Sequence, residues 1–157
     1  MKRIAIALLI VFGCGGDGIT IPAGPVPMTR VFSDRHSGLR TPREELIVQP
    51  ARWQLVWDEI MSTRSPKLPA PSVDFDRDVV IVVALGETGD ACKSVVIEEV
   101  SHAGDLLFVR SKETRPPASC VCPPVTVQPV DIVTVSRRTT TATFSRRSVT
   151  EGAGCNN

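Results

Sequence analysis

Five cysteines are the residues of this 157-residue chain whose type and spacing point most directly to chemistry. The first, Cys14, directly follows a basic start, an apolar run over residues 4–12 and the small residue Gly13. That run is too short to span a bilayer, which takes about 20 apolar residues. The pattern is typical of a secretory signal peptide. We therefore predict that residues 1–13 are removed on export.

The residues at the end of this segment, V-F-G-C, resemble the lipobox of bacterial lipoproteins. The resemblance implies that Cys14 becomes the mature N-terminus and carries a diacylglyceryl thioether and an N-acyl group. Stable anchoring needs more than one acyl chain, and this modification supplies it. Gly15 follows the cysteine, which by analogy with known sorting rules favours the outer membrane. The alternative is an ordinary signal peptide in which the cysteine is incidental.

The four remaining cysteines predict disulfides, because an even number in an exported domain usually forms a disulfide framework. A bridge between Cys120 and Cys122 would close a one-residue loop with poor geometry. Cys92 is then expected to pair with Cys120 or Cys122, and Cys155 with the other. A zinc site built from three of these cysteines and a histidine is the alternative. A lone C-x-C pair is a weak zinc signature, so we predict no metal.

An alternating set of aspartates, Asp74, Asp76 and Asp78, is similar to the start of a calcium loop. Such a loop needs glycine at its sixth position and glutamate at its twelfth. Val79 and Leu85 stand at those positions, which excludes an EF-hand. We expect Asp74 to cap backbone N–H groups in a turn before the next strand.

No catalytic motif accompanies the two histidines, His36 and His102. The sequence contains no G-x-S-x-G elbow, no Walker glycine loop and no H-E-x-x-H helix. The adjacent glutamates at 44–45 and 98–99 lie in strand-like runs, so each pair is expected to point to opposite faces of a sheet. We therefore assign no catalytic residue.

Composition narrows the class of partner. The precursor has 18 Lys and Arg against 17 Asp and Glu, and loss of Lys2 and Arg3 with residues 1–13 leaves a net charge of −1. This balance gives no electrostatic case for nucleic acid. Aromatic residues make up only 4% of the chain, which disfavours stacking on bases. Residues 14–29, rich in Gly and Pro, are predicted to be a flexible tether, and residues 30–157 one domain.

One amphipathic helix is predicted after Pro50, a residue that favours the first helical turn. Trp53, Val56, Trp57 and Ile60 follow at the spacing of a single apolar stripe. We interpret the two tryptophans as core anchors, with a ligand platform as the alternative.

The predicted strands alternate with turns rich in Gly and Pro. The run V-V-I-V-V-A-L is continuously apolar, which predicts a central strand buried on both faces. One helix and about five strands indicate an α+β fold, a compact and mostly antiparallel β-sheet domain with one main amphipathic helix. The expected strands span residues 44–49, 79–85, 94–100, 106–112 and 130–135, with an edge strand over 139–144.

Several short motifs occur in a fixed order through the middle of the chain. The first is W-Q-L-V-W, which contains Trp53 and Trp57. The second is P-S-V-D-F, with Val73, Asp74 and Phe75.

The motifs continue with Gly86, Thr88 and Gly89, and end with P-V-D-I-V, which begins at Pro129. In this order they resemble the C-terminal domain of PrcB, a lipoprotein subunit first named for its place in a bacterial surface protease complex. The resemblance covers about residues 40–137.

The resemblance implies a non-catalytic accessory role, in which the domain associates with or stabilises another exported protein, such as a protease. The family usually has Thr-Gly-Gly where this chain has Thr88-Gly89-Asp90, and an aromatic residue where this chain has Val130. If either position contacts the partner, these differences predict a different partner.

We therefore expect a membrane-anchored lipoprotein with a protein partner and no cofactor beyond the lipid on Cys14. One alternative is an exported hydrolase, which requires His36 or His102 to meet a nucleophile. Another is a structural envelope lipoprotein without a specific ligand.

Overall fold

The structure, a computed structural model, describes residues 24–152. Within that range the chain forms two four-stranded sheets and one helix. The elements are β1 (Gly24–Pro25), β2 (Met28–Asp34), β3 (Arg43–Ile47), α1 (Pro50–Ile60), β4 (Asp78–Ala84), β5 (Ser94–Ala103), β6 (Leu106–Arg115), β7 (Val130–Ser136) and β8 (Ala142–Thr150). We call β2-β7-β4-β3 the central sheet and β1-β5-β6-β8 the outer sheet.

The central sheet lies between the helix and the outer sheet, and β4 explains this arrangement. Val80 and Val82 of β4 pack in the cluster that contains the helix. Val79, Ile81 and Val83 pack in the second cluster, against the outer sheet. All five side chains are fully buried, so the prediction of a central strand buried on both faces is confirmed.

Helix α1 buries the apolar stripe that the spacing predicts: Trp53, Val56, Trp57 and Ile60. The N–H of each indole also forms a hydrogen bond. The Nε1 of Trp53 donates to the carbonyl of Pro71 at 3.0 Å, and that of Trp57 donates to the carbonyl of Leu68 at 2.8 Å. The tryptophans therefore hold the proline-rich segment after the helix against the core.

The predicted tether is too long at its C-terminal end. Gly24 and Pro25 pair with His102 and Ser101 of β5, and β2 begins at Met28. Val26, between these strands, is buried in the cluster between the sheets. The folded domain therefore includes residues 24–29, while the rest of the predicted tether lies outside the described residues.

The fold fits α+β, although the helix is small and the strands form two sheets rather than one. The second sheet follows from the alternation in β5 and β6, whose inward residues need an apolar surface to cover them. The predicted edge strand starts later than expected, as β8, and pairs in parallel with β6. The other strand pairs are antiparallel within residues 24–152.

The two glutamate pairs behave differently. Glu44 and Glu45 point to opposite faces of β3, as predicted: one pairs with an arginine of β8 and the other with an arginine of α1. The prediction for Glu98 and Glu99 is wrong, because the pairing of β5 shifts register between Ile97 and Glu99. This β-bulge places both carboxylates on the solvent face, where they pair with arginines of β8 and β6.

Candidate functional site

The domain has two poles, set by the direction of its strands. The described chain begins at Gly24, beside His102 at the end of β5. At its other end β5 begins at Ser94, two residues after Cys92. A ten-residue strand is about 30 Å long, so Gly24 and Cys92 lie at opposite ends of the domain. We call these two ends its poles.

Two loops meet at the pole that contains Cys92, and we call residues 86–92 and 116–127 together the stapled loop pair. The disulfide Cys92–Cys122 joins them, with a Cα–Cα distance of 5.8 Å. A second link is a short β-bridge in which Thr88 and Val127 exchange two backbone hydrogen bonds of 2.9 Å. Of the two pairings that the sequence left open for Cys92, the structure has the one with Cys122.

The Sγ of Cys120 lies 3.5 Å from that of Cys122, and the three sulfur atoms of this cluster lie within 4.8 Å of one another. Because Cys92 and Cys122 form a disulfide, they do not present free thiolates to a metal. Cys155 lies outside the described residues, so its pairing with Cys120 stays a prediction. The described chain ends near the start of the loop over residues 116–127, since the N–H of Glu151 donates to the carbonyl of Arg115 at 3.0 Å.

Removing the disulfide should destabilise the domain. Cys92→Ser combined with Cys122→Ser opens a loop with a sequence separation of 30 residues. We expect a loss of about 2–4 kcal/mol in the free energy of unfolding, because the unfolded chain regains the entropy of the open loop. Urea unfolding followed by tryptophan fluorescence measures this loss. An unchanged free energy of unfolding would contradict the bridge.

The stapled loop pair exposes apolar side chains to solvent. Val121 is 74% exposed and Val125 is 49% exposed, and the intervening Pro123 and Pro124 are also exposed. A short run of exposed apolar residues on a constrained loop is a candidate contact surface.

Gly86, at the start of the stapled loop pair, is required by backbone geometry. Its φ of +75° favours glycine, and a Cβ there would lie 2.7 Å from the nitrogen of Pro42 and 2.9 Å from the carbonyl oxygen of Arg40. Gly89, three residues later, is different, because nothing lies within 4 Å of a Cβ built there.

These two glycines make a matched pair of variants. We expect Gly86→Ala to lower the free energy of unfolding by about 1–3 kcal/mol through backbone strain. Gly89→Ala should change it by less than about 0.5 kcal/mol. Thermal and urea unfolding of both variants measure the difference, and equal effects would contradict the described geometry.

The remaining residues of the short motifs described above lie in turns and in the core. Asp74 accepts the N–H of Asp76 through Oδ1 at 3.1 Å, which is the capping role expected for it. Phe75 is buried in the helix-side cluster, and Val73 packs against that cluster. Pro129 is buried, and its carbonyl accepts the N–H of Leu85 at 3.0 Å.

Val130, which follows Pro129, is 1% exposed and packs in the helix-side cluster. This residue therefore belongs to the core of the protein and not to its surface.

Two carboxylates of the outer sheet accept hydrogen bonds from arginines. A hydrogen bond from Arg115 lowers the pKa of Glu113, at the root of the stapled loop pair. A hydrogen bond from Arg147 likewise lowers the pKa of Glu98. Both glutamates are therefore held in the charged form.

The sequence patterns did not predict an ion pair on the face of the central sheet that packs against the outer sheet. Asp131 is fully buried. Its carboxylate accepts hydrogen bonds from the Nε–H of Arg30 and from the backbone N–H of Ile97, each at 2.7 Å. The register of β5 shifts directly after Ile97. An aspartate in the otherwise apolar run of β7 was the signal available in the sequence.

The structure does not bring the two histidines together. His36 forms an isolated β-bridge with Gln128 at the pole of the stapled loop pair, whereas His102 lies at the opposite pole.

Cys14 lies outside the described residues. Within residues 24–152, no helix is long and apolar enough to cross a membrane. No protein-family model, no curated protein and no solved structure matches this chain.

Proposed function

We propose that this chain is a non-catalytic lipoprotein that is anchored in the outer membrane through Cys14 and associates with, or stabilises, another exported protein. The stapled loop pair is the proposed contact surface. The observation that carries the proposal is the disulfide-joined pair of loops, at the pole opposite Gly24, with Val121 and Val125 exposed.

The positions of the two poles support this role. Residues 14–23 link the proposed lipid to Gly24, and ten residues span at most about 35 Å. The stapled loop pair lies at the opposite pole from Gly24, where the tether joins the domain. The tether therefore leaves the stapled loop pair uncovered, and another exported protein has access to it.

The construction of the loops favours a protein partner. The disulfide and the bridge between Thr88 and Val127 fix both loops before binding. A preorganised loop loses little conformational entropy on association. More of the favourable free energy of its contacts therefore contributes to the binding affinity. The resemblance to the PrcB domain adds an accessory role and makes a protease one candidate class of partner.

Co-purification from crosslinked membranes tests this proposal. A tagged full-length chain should enrich a specific protein partner, and a Val121→Asp, Val125→Asp variant should lose it, because burying a carboxylate at an interface is costly. The matched control is Leu55→Asp, since Leu55 is 64% exposed on helix α1, away from the loops. A wild-type chain that enriches no partner, or a partner retained equally by both variants, would refute the proposed surface.

The anchor has its own test. A Cys14→Ala variant should leave the membrane fraction, because it cannot carry the lipid. Retention of this variant in the membrane would refute the lipobox.

A further inference from the structure

A cavity of about 470 Å³ lies beside the stapled loop pair, on the outward face of the outer sheet. Paired residues of two strands form its floor: Val96 with Lys112, and Ser94 with Thr114. Arg35 lies at its side, next to the disulfide of Cys92, and Glu151 lies near the end of the described chain. The cavity therefore joins an apolar surface to two cationic side chains.

Arg35 differs from most arginines in residues 24–152. Nine of the thirteen arginines in that range pair with a carboxylate of the chain itself. Arg35 instead donates an Nη2 hydrogen bond to the backbone carbonyl of Ala91, one residue before Cys92. This bond fixes the guanidinium beside the cavity and leaves other N–H groups to bind an acceptor.

The other cation already holds a carboxylate. The Nζ of Lys112 lies 3.3 Å and 3.4 Å from the two carboxylate oxygens of Glu151, a side chain that is 46% exposed. Such an exposed ion pair is weak, so an incoming carboxylate can displace Glu151 at little cost. The charged groups that line the cavity are two cations and one anion, which leaves a net positive charge.

We propose that this cavity binds an acidic side chain, aspartate or glutamate, of the partner protein. Arg35 receives the carboxylate, and the exposed valines of the loops contact apolar residues next to it. The inference rests on the proposed function, since it specifies the chemistry of the partner at that same surface. It predicts a partner segment in which an acidic residue stands among aliphatic ones.

Two peptides serve as probes. They are fluorescein-labelled, amidated and aliphatic, and they differ at one position, which is glutamate in one and glutamine in the other. Fluorescence anisotropy with the full-length chain in detergent should show about tenfold tighter binding of the glutamate peptide, as a charge-assisted hydrogen bond provides. Arg35→Gln should remove that preference. Glu151→Gln should strengthen it, because Lys112 is then released.

Arg138→Gln is the matched control, since Arg138 is exposed and lies in the β7–β8 connection, at the pole of Gly24. It should leave the preference unchanged, and thermal unfolding should show that Arg35→Gln is folded. Equal affinity of wild type for the two peptides, no binding of either at millimolar concentration, or a preference that survives Arg35→Gln would overturn the inference. Co-purification of a partner by both wild type and Arg35→Gln, without a change in yield, would overturn the inference while leaving the proposed function intact.

Discussion

Trp57→Ala is expected to lower the free energy of unfolding by about 3–5 kcal/mol. Trp57 is 2% exposed, and its ring lies 5.0 Å from that of Phe32 and 5.3 Å from that of Trp53, measured between centroids. The substitution opens a cavity between the helix and the central sheet. It also removes the hydrogen bond to the carbonyl of Leu68, which holds the segment after the helix.

Urea unfolding followed by far-ultraviolet circular dichroism measures the effect without relying on tryptophan fluorescence. Leu55→Ala, on the exposed face of the same helix, is the control and should stay within about 0.5 kcal/mol of wild type. A loss below about 1 kcal/mol for Trp57→Ala would contradict its role as a core anchor and would favour the ligand-platform interpretation.

Arg30→Met is expected to cost about 3–5 kcal/mol, because it leaves the fully buried carboxylate of Asp131 without its cation. Arg30 also donates to the carbonyl of Ile97 at 3.0 Å, so the substitution removes a contact between the central and outer sheets. The same unfolding measurement gives the loss.

The double variant Arg30→Met, Asp131→Leu separates the two causes. Removing both charges eliminates the unpaired carboxylate, so much of the lost stability should return. The residual loss reports the N–H of Ile97, which then has no acceptor. A double variant as unstable as Arg30→Met alone would contradict an electrostatic origin.

Local patterns in the sequence predicted the elements whose burial follows a simple period. The helix was predicted because Trp53, Val56, Trp57 and Ile60 repeat at helical spacing. Strand β4 was predicted because a continuous run of β-branched residues fits a strand covered on both faces. In each case neighbouring residues alone carry the signal.

Features that depend on distant residues were not predicted. Strand β2 was missed because the charged Arg30 interrupts its apolar pattern, and its buried partner Asp131 is 101 residues away. The β-bulge at Glu98 was missed, although the buried residues Ile97 and Val100 are three positions apart and so break the two-residue period of a regular strand. Alternation shows which faces are apolar but not which strands pair, so two sheets were not distinguished from one.

The candidate site was predicted in part. The sequence predicted a disulfide between Cys92 and the C-x-C pair, but it did not choose between Cys120 and Cys122, which are separated by a single residue. The choice of Cys122 depends on the path of the loop that contains the pair, which the spacing of the cysteines does not show. The cavity beside Arg35 was not predicted, because its walls come from β2, β5, β6 and the end of the described chain.

Site-specific photo-crosslinking in intact cells tests directly whether a partner binds at the stapled loop pair. A photoreactive amino acid is placed in the full-length chain at Val121, or at Leu55 as a control that is also well exposed. We expect one specific protein adduct from position 121, none from position 55, and loss of the adduct in the Cys14→Ala variant. No adduct at position 121, or the same adducts from both positions, would contradict a partner bound at the stapled loop pair.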